Sequence, residues 1–323
     1  MPVSPGQQGA MPSSQSGHGD SQGSGIPGLP GVPPFVLFGP EPSAVPILIA
    51  VPHAGRAYPP AMLRRMRFPA QSILRLEDRL ADEVARAVAR ETGARLLVAQ
   101  APRAMIDLNR APDDIDWGMI AGNGPPRPGA VGRRARGGLG LIPRRLSGMG
   151  EIWKDRHGEE ELSAYISRVH EPYHQVLAHE LAVIRDRWGA SLLIDLHSMP
   201  PLVSSAPDGA AEFVVGDRFG TSCDGGIVAA TFTQFSACGR RAAHNRPYAG
   251  DYVLQRHARP ASGVHAFQLE IDRRCYLDSR LAELGEGLAE LVENLAALVR
   301  RLTAQVSALG RESARGGWAE AAE

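Results

Sequence analysis

Ser191-Leu192-Leu193-Ile194-Asp195-Leu196, with His197 at its end, is the clearest buried strand in the chain. It is a short apolar run closed by polar residues, as expected of a strand covered on both faces. Pro46-Ile-Leu-Ile-Ala-Val51 has the same character and leads to His53, and residues 264–271 (VHAFQLEI) carry Glu270 in a third such run. Residues 95–99, 104–108 and 212–215 are further expected strands. Between them, residues 79–91 repeat apolar side chains at helical spacing and stop at Gly93. Residues 159–188 read as a helix broken or bent at Pro172, and residues 281–309 as a long amphipathic C-terminal helix. Strands alternating with helices imply an α/β fold with a largely parallel sheet covered on both sides.

The chain has 323 residues, 43% hydrophobic and 22% charged, which suits one large domain, expected over residues 35–310. Residues 1–34, rich in Gly, Ser, Pro and Gln, offer little apolar surface to offset the entropy of ordering and are expected to stay disordered, as is a tail over 311–323. The Gly/Pro/Arg-rich residues 122–150 read as a long surface loop. Thirty-five basic and thirty-five acidic side chains cancel, so no bulk field attracts nucleic acid or an anionic membrane. No apolar run approaches the roughly 20 residues that a membrane-spanning helix needs. The N-terminus lacks the basic and apolar regions of a secretory signal, and three widely spaced cysteines, Cys223, Cys238 and Cys275, fit neither a disulfide framework nor a metal clip. A reducing, cytoplasmic setting is the simplest expectation.

Polar residues gather at three strand ends: His53, Asp195 with His197, and Gln268 with Glu270. In open α/β sheets, sites form outside the carboxyl ends of strands. Side chains two apart on a strand share a face, so Asp195 and His197, Gln268 and Glu270, and Asp107 and Asn109 each offer one reacting and one supporting group. Two histidines and one carboxylate are the ligand set of catalytic zinc, and His53, His197 and either Glu77 or Asp78 can supply it. Manganese, iron or cobalt would also accept such donors. Glu270 is placed to take a proton from water and return one to a leaving nitrogen. A carboxylate in so apolar a strand calls for a cation facing it. Arg103, Arg110 and Arg246 are candidates to clamp a substrate carboxylate. His170-Glu-Pro-Tyr-His174 fits the zinc motif H-E-x-x-H, but Pro172 is expected to bend the helix between the two histidines, which leaves them as packing residues or edge contacts.

Several ordered motifs together resemble the N-formylglutamate amidohydrolases over residues 47–276. They are Val51-Pro-His-Ala-Gly55, Glu77-Asp78, Arg103 with Ile106-Asp-Leu-Asn-Arg110, Gly140-Leu-Ile-Pro143, Pro172-Tyr-His174, Asp195-Leu-His-Ser198, Gly216-Asp217, Asn245-Arg-Pro-Tyr248 and Gln268-Leu-Glu270. The resemblance implies a three-layer α/β/α sandwich with a mixed, mostly parallel sheet, similar to zinc carboxypeptidases, and hydrolysis of a small N-formyl or N-acyl amino acid, N-formylglutamate first. It implies His53, Asp78 and His197 as ligands of Zn2+, Glu270 as base and acid, and Asn109, Arg110, Arg103, Asn245 and Arg246 as contacts to an acidic substrate. Glu77, Asp107, Asp195, Ser198 and Gln268 would support them. The chain departs from the family pattern in its N-terminal tail, in Arg133-Arg-Ala-Arg136 and around Asp251 and Tyr252, where Gly followed by His is usual. Two other readings keep the fold: a peptide or cell-wall amidase using the same site, and a noncatalytic module binding acidic ligands through its arginines.

Overall fold

Seven strands pair into one sheet in the computed structural model, which describes residues 25–122, 132–203 and 209–320. They are β1 (Phe35–Phe38), β2 (Ile47–Val51), β3 (Arg95–Ala99), β4 (Ser191–Met199), β5 (Phe213–Gly216), β6 (Ala242–His244) and β7 (Val264–Asp272). Their order across the sheet is β1-β3-β2-β4-β7-β5-β6. The centre, β3-β2-β4-β7, is parallel; β1 runs antiparallel to β3, and β5 antiparallel to β7. The sheet is therefore mixed and mostly parallel.

Alternation along each central strand divides the core into two layers. Ile47, Ile49 and Val51 of β2 pack with helix α1 (Ala81–Thr92), helix α3 (Gly225–Ala237) and helix α4 (Leu288–Glu320). Leu48 and Ala50 face the other way, toward Leu177, Leu181 and Ile184 of helix α2 (Glu171–Trp188). Every residue of β2, β4 and β7 is buried, which is why these strands read as unbroken apolar runs.

Several expectations are corrected. Residues 104–108 form no strand: Met105 and Ile106 amides turn back to Pro102 O, and their side chains are apolar because Leu141, Ile142 and Trp153 cover them. The C-terminal helix begins at Leu288 rather than 281, after turns in which Cβ atoms on Gly285 and Gly287 would collide with the Leu277 and Cys275 carbonyls. It continues to Glu320, past the break expected at 310, because extending a formed helix is easier than starting one. Residues 25–34 are packed, with Ile26 fully buried and its amide bonded to Val32 O. Ile26, Leu29 and Val32 pack against the core here, supplying the large apolar side chains in which the sequence before them is poor. Residues 1–24, most of the tail expected to be disordered, and residues 321–323 lie outside the described residues, as does part of the loop expected over 122–150. Around Pro172 the helix is not broken: a π-helical turn, Ile166–His170, runs directly into α2 and accommodates the proline just after it. Edge strands β1 and β6 were not expected, being short and only partly buried.

Candidate active site

The carboxyl ends of β2, β4 and β7 meet at one side of the sheet. His53 follows β2 in a turn that lies against residues 100–101, so closely that a Cβ on Gly55 would collide with the Ala101 carbonyl. The same turn fixes Asp78, whose amide donates to His53 O at 2.9 Å. His197 lies on β4, in register with Glu270 on β7.

His53, Asp78 and His197 form a buried group whose ligand atoms all lie within 4.8 Å of one another. Both rings turn Nδ1 toward one carboxylate oxygen: His197 Nδ1 is 2.8 Å and His53 Nδ1 3.5 Å from Asp78 Oδ2. Each Nε2 is held from behind, that of His53 by Asp107 Oδ1 at 2.7 Å and that of His197 by Asp195 Oδ2 at 3.0 Å. With a cation between the rings, a carboxylate on Nε2 would hold each ring in the tautomer that turns the Nδ1 lone pair toward it. His53 Nδ1 is buried and has no hydrogen-bond partner among the described residues. Two imidazole lone pairs and a carboxylate converging on one point fit a divalent metal ion. Of the two acidic candidates, Asp78 lies in this group, whereas Glu77 turns toward Arg79, at 3.4 Å.

Carboxylates dominate the charge around the rings. Burial opposes ionisation of Asp78 and Asp107, but the histidines beside Asp78, and Arg103, His53 and Arg110 around Asp107, hold both well below the usual carboxylate range. Burial likewise disfavours a charged His197, yet Asp195 and Asp78 push it well above an ordinary histidine. Glu270 moves the other way: burial pushes it up to about 7, with Asp78 and Asp195 adding and His197 and Arg103 opposing. The cationic groups expected to face Glu270 are therefore His197 and Arg103. Gln268 Nε2 donates to Glu270 Oε1 at 2.7 Å.

The candidate substrate contacts have partners of their own, Arg246 apart. Asn109 is buried with its amide fully engaged: Oδ1 accepts from Val253 N at 2.9 Å, and Nδ2 lies 3.3 Å from both Gln268 Oε1 and His197 Nε2. It braces the cluster. Asn245 is engaged elsewhere, in a left-handed turn (φ 59°) where its side chain bonds Asp217 Oδ1 and the Asp217 amide. Arg103 grips Asp107 Oδ2 through Nε at 3.0 Å and Nη2 at 2.9 Å. Arg110 bonds Leu139 O, Asn109 O and Asp251. Arg246 is exposed and has no ion pair among the described residues.

Sequence reasoning missed Arg273. Its Nε donates to Ser198 Oγ at 3.1 Å, Nη1 to Leu74 O at 3.0 Å and Nη2 to Glu77 O, with Asp78 Oδ1 3.9 Å away. Ser198 in turn reaches Asp78 Oδ1 at 3.4 Å. The doublet Arg273-Arg274 directly after a buried strand was the available signal, since one of two adjacent side chains there must turn inward.

His170 and His174 do share a helix face, with ring centroids 4.5 Å apart, so Pro172 does not separate them as expected. Their Nε2 atoms donate to Arg110 O and Leu108 O, and His174 Nδ1 pairs with His257 Nε2 at 2.9 Å. They pin the loop that carries Asp107 and Asn109. A cleft of about 340 Å³ elsewhere, lined by Glu212, Asp272, Glu290, Arg240, Arg241 and Arg274, includes no residue of the His53 cluster.

Known proteins resemble this chain in sequence and fold. Residues 45–277 match the family model of N-formylglutamate amidohydrolase. An N-formylglutamate deformylase of Pseudomonas aeruginosa is 30% identical over 244 residues, covering 73% of this chain and 84% of that protein. Its counterpart in Pseudomonas putida is 29% identical, covering 72% and 82%. The crystal structure of N-formylglutamate amidohydrolase from Ralstonia eutropha superposes with a TM-score of 0.76 at 34% identity, covering 84% of this chain and 98% of that one. A gene product of Agrobacterium tumefaciens shares the fold at a TM-score of 0.62 and 16% identity, covering 84% and 95%. The chain belongs to the N-formylglutamate amidohydrolase family, a family of hydrolases acting on an amide.

Proposed function

We propose that this chain hydrolyses the formyl amide of N-formylglutamate, or of a closely similar small N-acyl amino acid, at a metal centre formed by His53 Nδ1, Asp78 and His197 Nδ1. The observation that carries the reading is the convergence of two Nδ1 atoms on Asp78, backed by Asp107 and Asp195, with Glu270 on the adjoining strand. Zinc is the first choice of metal for that donor set; bound there, it would acidify a water and polarise a carbonyl.

The chain's own residues supply the rest. Asp107 and Asp195 hold the imidazoles in the tautomer that presents Nδ1. Gln268 fixes one oxygen of Glu270, so the other is aimed to take the proton of the attacking water and pass it to the amide nitrogen. A carboxylate held near pH 7 by burial suits both transfers. The water oxygen joins the formyl carbon, the C–N bond breaks, and formate and the amino acid leave. Arg103, Arg110 and Arg246 supply positive charge for an acidic substrate. Three unpaired cysteines suit a cytoplasmic place for this reaction.

The test is formate release from N-formylglutamate by zinc-loaded protein. Turnover that is absent in His197→Ala supports the reading; a folded, zinc-loaded wild type that releases no formate from any N-formyl amino acid overturns it.

A further inference from the structure

Asp251 stands where a helix cap would stand, yet it does not cap. It precedes the short helix Tyr252–His257, and its carboxylate accepts no hydrogen bond from that helix, although Asp is among the preferred capping residues. The carboxylate instead accepts from Arg110 Nη1 at 2.9 Å and from Arg134 Nη2 at 3.1 Å. The trio runs from floor to rim: the side chains of Arg110, Asp251 and Arg134 are 6%, 33% and 48% exposed. On its inner side Arg110 Nε lies 3.9 Å from Asp107 Oδ2, and Asp107 holds His53. Two residues beyond Asp251, the Val253 amide bonds Asn109, which contacts His197. Asp251 is thus a carboxylate already seated on a guanidinium that lies beside Asp107, the group behind His53.

Guanidinium groups read carboxylates by paired N–H donors, and one anion shared by two of them satisfies the geometry that an incoming carboxylate would seek. An attached carboxylate competes at high effective concentration, because it loses no translational freedom on binding.

We propose that Asp251 is a specificity-determining residue, an internal carboxylate that occupies the Arg110–Arg134 pair and must be displaced when the carboxylate of an anionic substrate binds there. This rests on the reading of Arg110 as a substrate contact. Substrate enters by exchanging one carboxylate for another, so Asp251 weakens binding of acidic substrates while keeping two guanidiniums from standing uncompensated in the free protein. Because Asp251 caps nothing, its replacement by Asn removes the charge without removing a helix cap.

The experiment compares zinc-loaded wild type, Asp251→Asn and Asp251→Glu. Calorimetry with glutarate, a dicarboxylate lacking the scissile amide, reads binding; kinetics with N-formylglutamate reads KM and kcat separately. Glutarate should bind Asp251→Asn about fivefold more tightly than wild type, the scale of a partly exposed ion pair, while Asp251→Glu stays near wild type. KM for N-formylglutamate should fall by a similar factor, with the change in KM rather than kcat. Unchanged or weaker glutarate binding by folded Asp251→Asn, or no measurable binding by any of the three proteins, overturns the proposal and makes Asp251 a positioning partner of Arg110. A wild type that binds glutarate but hydrolyses no N-formyl amino acid overturns the proposed reaction alone, and the calorimetric comparison still decides the role of Asp251.

Discussion

Two histidine clusters lie within this fold, and they differ in what stands behind the rings. His53 and His197 are backed by Asp107 and Asp195 and face Asp78. His170, His174 and His257 are as deeply buried, but two of them donate to backbone carbonyls and the third pairs with its neighbour. The electrostatic outcome is opposite. Carboxylates overcome burial and push His197 up, whereas burial lowers His170, His174 and His257, the last, with help from nearby Arg256, to about 3. The first cluster calls for positive charge and the second excludes it. Ironically for pattern matching, the second holds the H-E-x-x-H spacing. Histidine spacing alone does not mark a candidate metal site; the carboxylates around the rings do.

The largest effect expected from this contrast is on the proton carrier. Glu270→Gln should lower kcat by about 10²- to 10⁴-fold with metal content unchanged, the range for losing a general base; near-normal turnover would remove Glu270 from that role. Next come the groups behind the rings. Asp107→Asn and Asp195→Asn should each weaken metal binding or activity by about 10- to 100-fold, measured by chelator competition, and equal affinity to wild type would show that the backing carboxylates are incidental.

The second cluster should respond in stability instead. His174→Ala leaves the Leu108 carbonyl without its donor and should destabilise the chain by about 1–3 kcal/mol in denaturant titration, while a metal-saturated sample keeps its stoichiometry. Loss of metal at unchanged stability would reverse the assignment of the two clusters. The smallest effect is on pH dependence. His170, His174 and His257 are neutral when folded and take protons more readily when unfolded, so their contribution is full above about pH 6.5 and falls as pH drops toward 3. His257→Gln should flatten that slope in urea midpoints collected from pH 7 to 4; an unchanged slope would contradict it.

The contrast also explains what was legible in the sequence. β2, β4 and β7 were readable because burial on both faces leaves an unbroken apolar run, and His53, His197 and Glu270 because polar groups interrupt those runs at the site. Residues 104–108 show the same apolar character for another reason, cover by a long loop, which local pattern does not distinguish from strand pairing. Arg273 and Asp251 act through partners about 75 to 200 positions away in sequence, Ser198, Glu77 and Arg110. No local spacing encodes such a choice. Asn109 and Asn245 looked like ligand contacts because their type suits one, but their amides are taken up by backbone and side-chain neighbours that only the folded chain brings near.

The most direct test of the metal centre is elemental analysis of four purified proteins: wild type, His53→Ala, His197→Ala and the double variant His170→Ala/His174→Ala. Metal at His53, Asp78 and His197 gives about one ion per chain in the wild type and in the folded double variant, and little or none in either single variant. Metal retained by both His53→Ala and His197→Ala, or lost only from the double variant, would contradict the assignment and move the site to the other cluster.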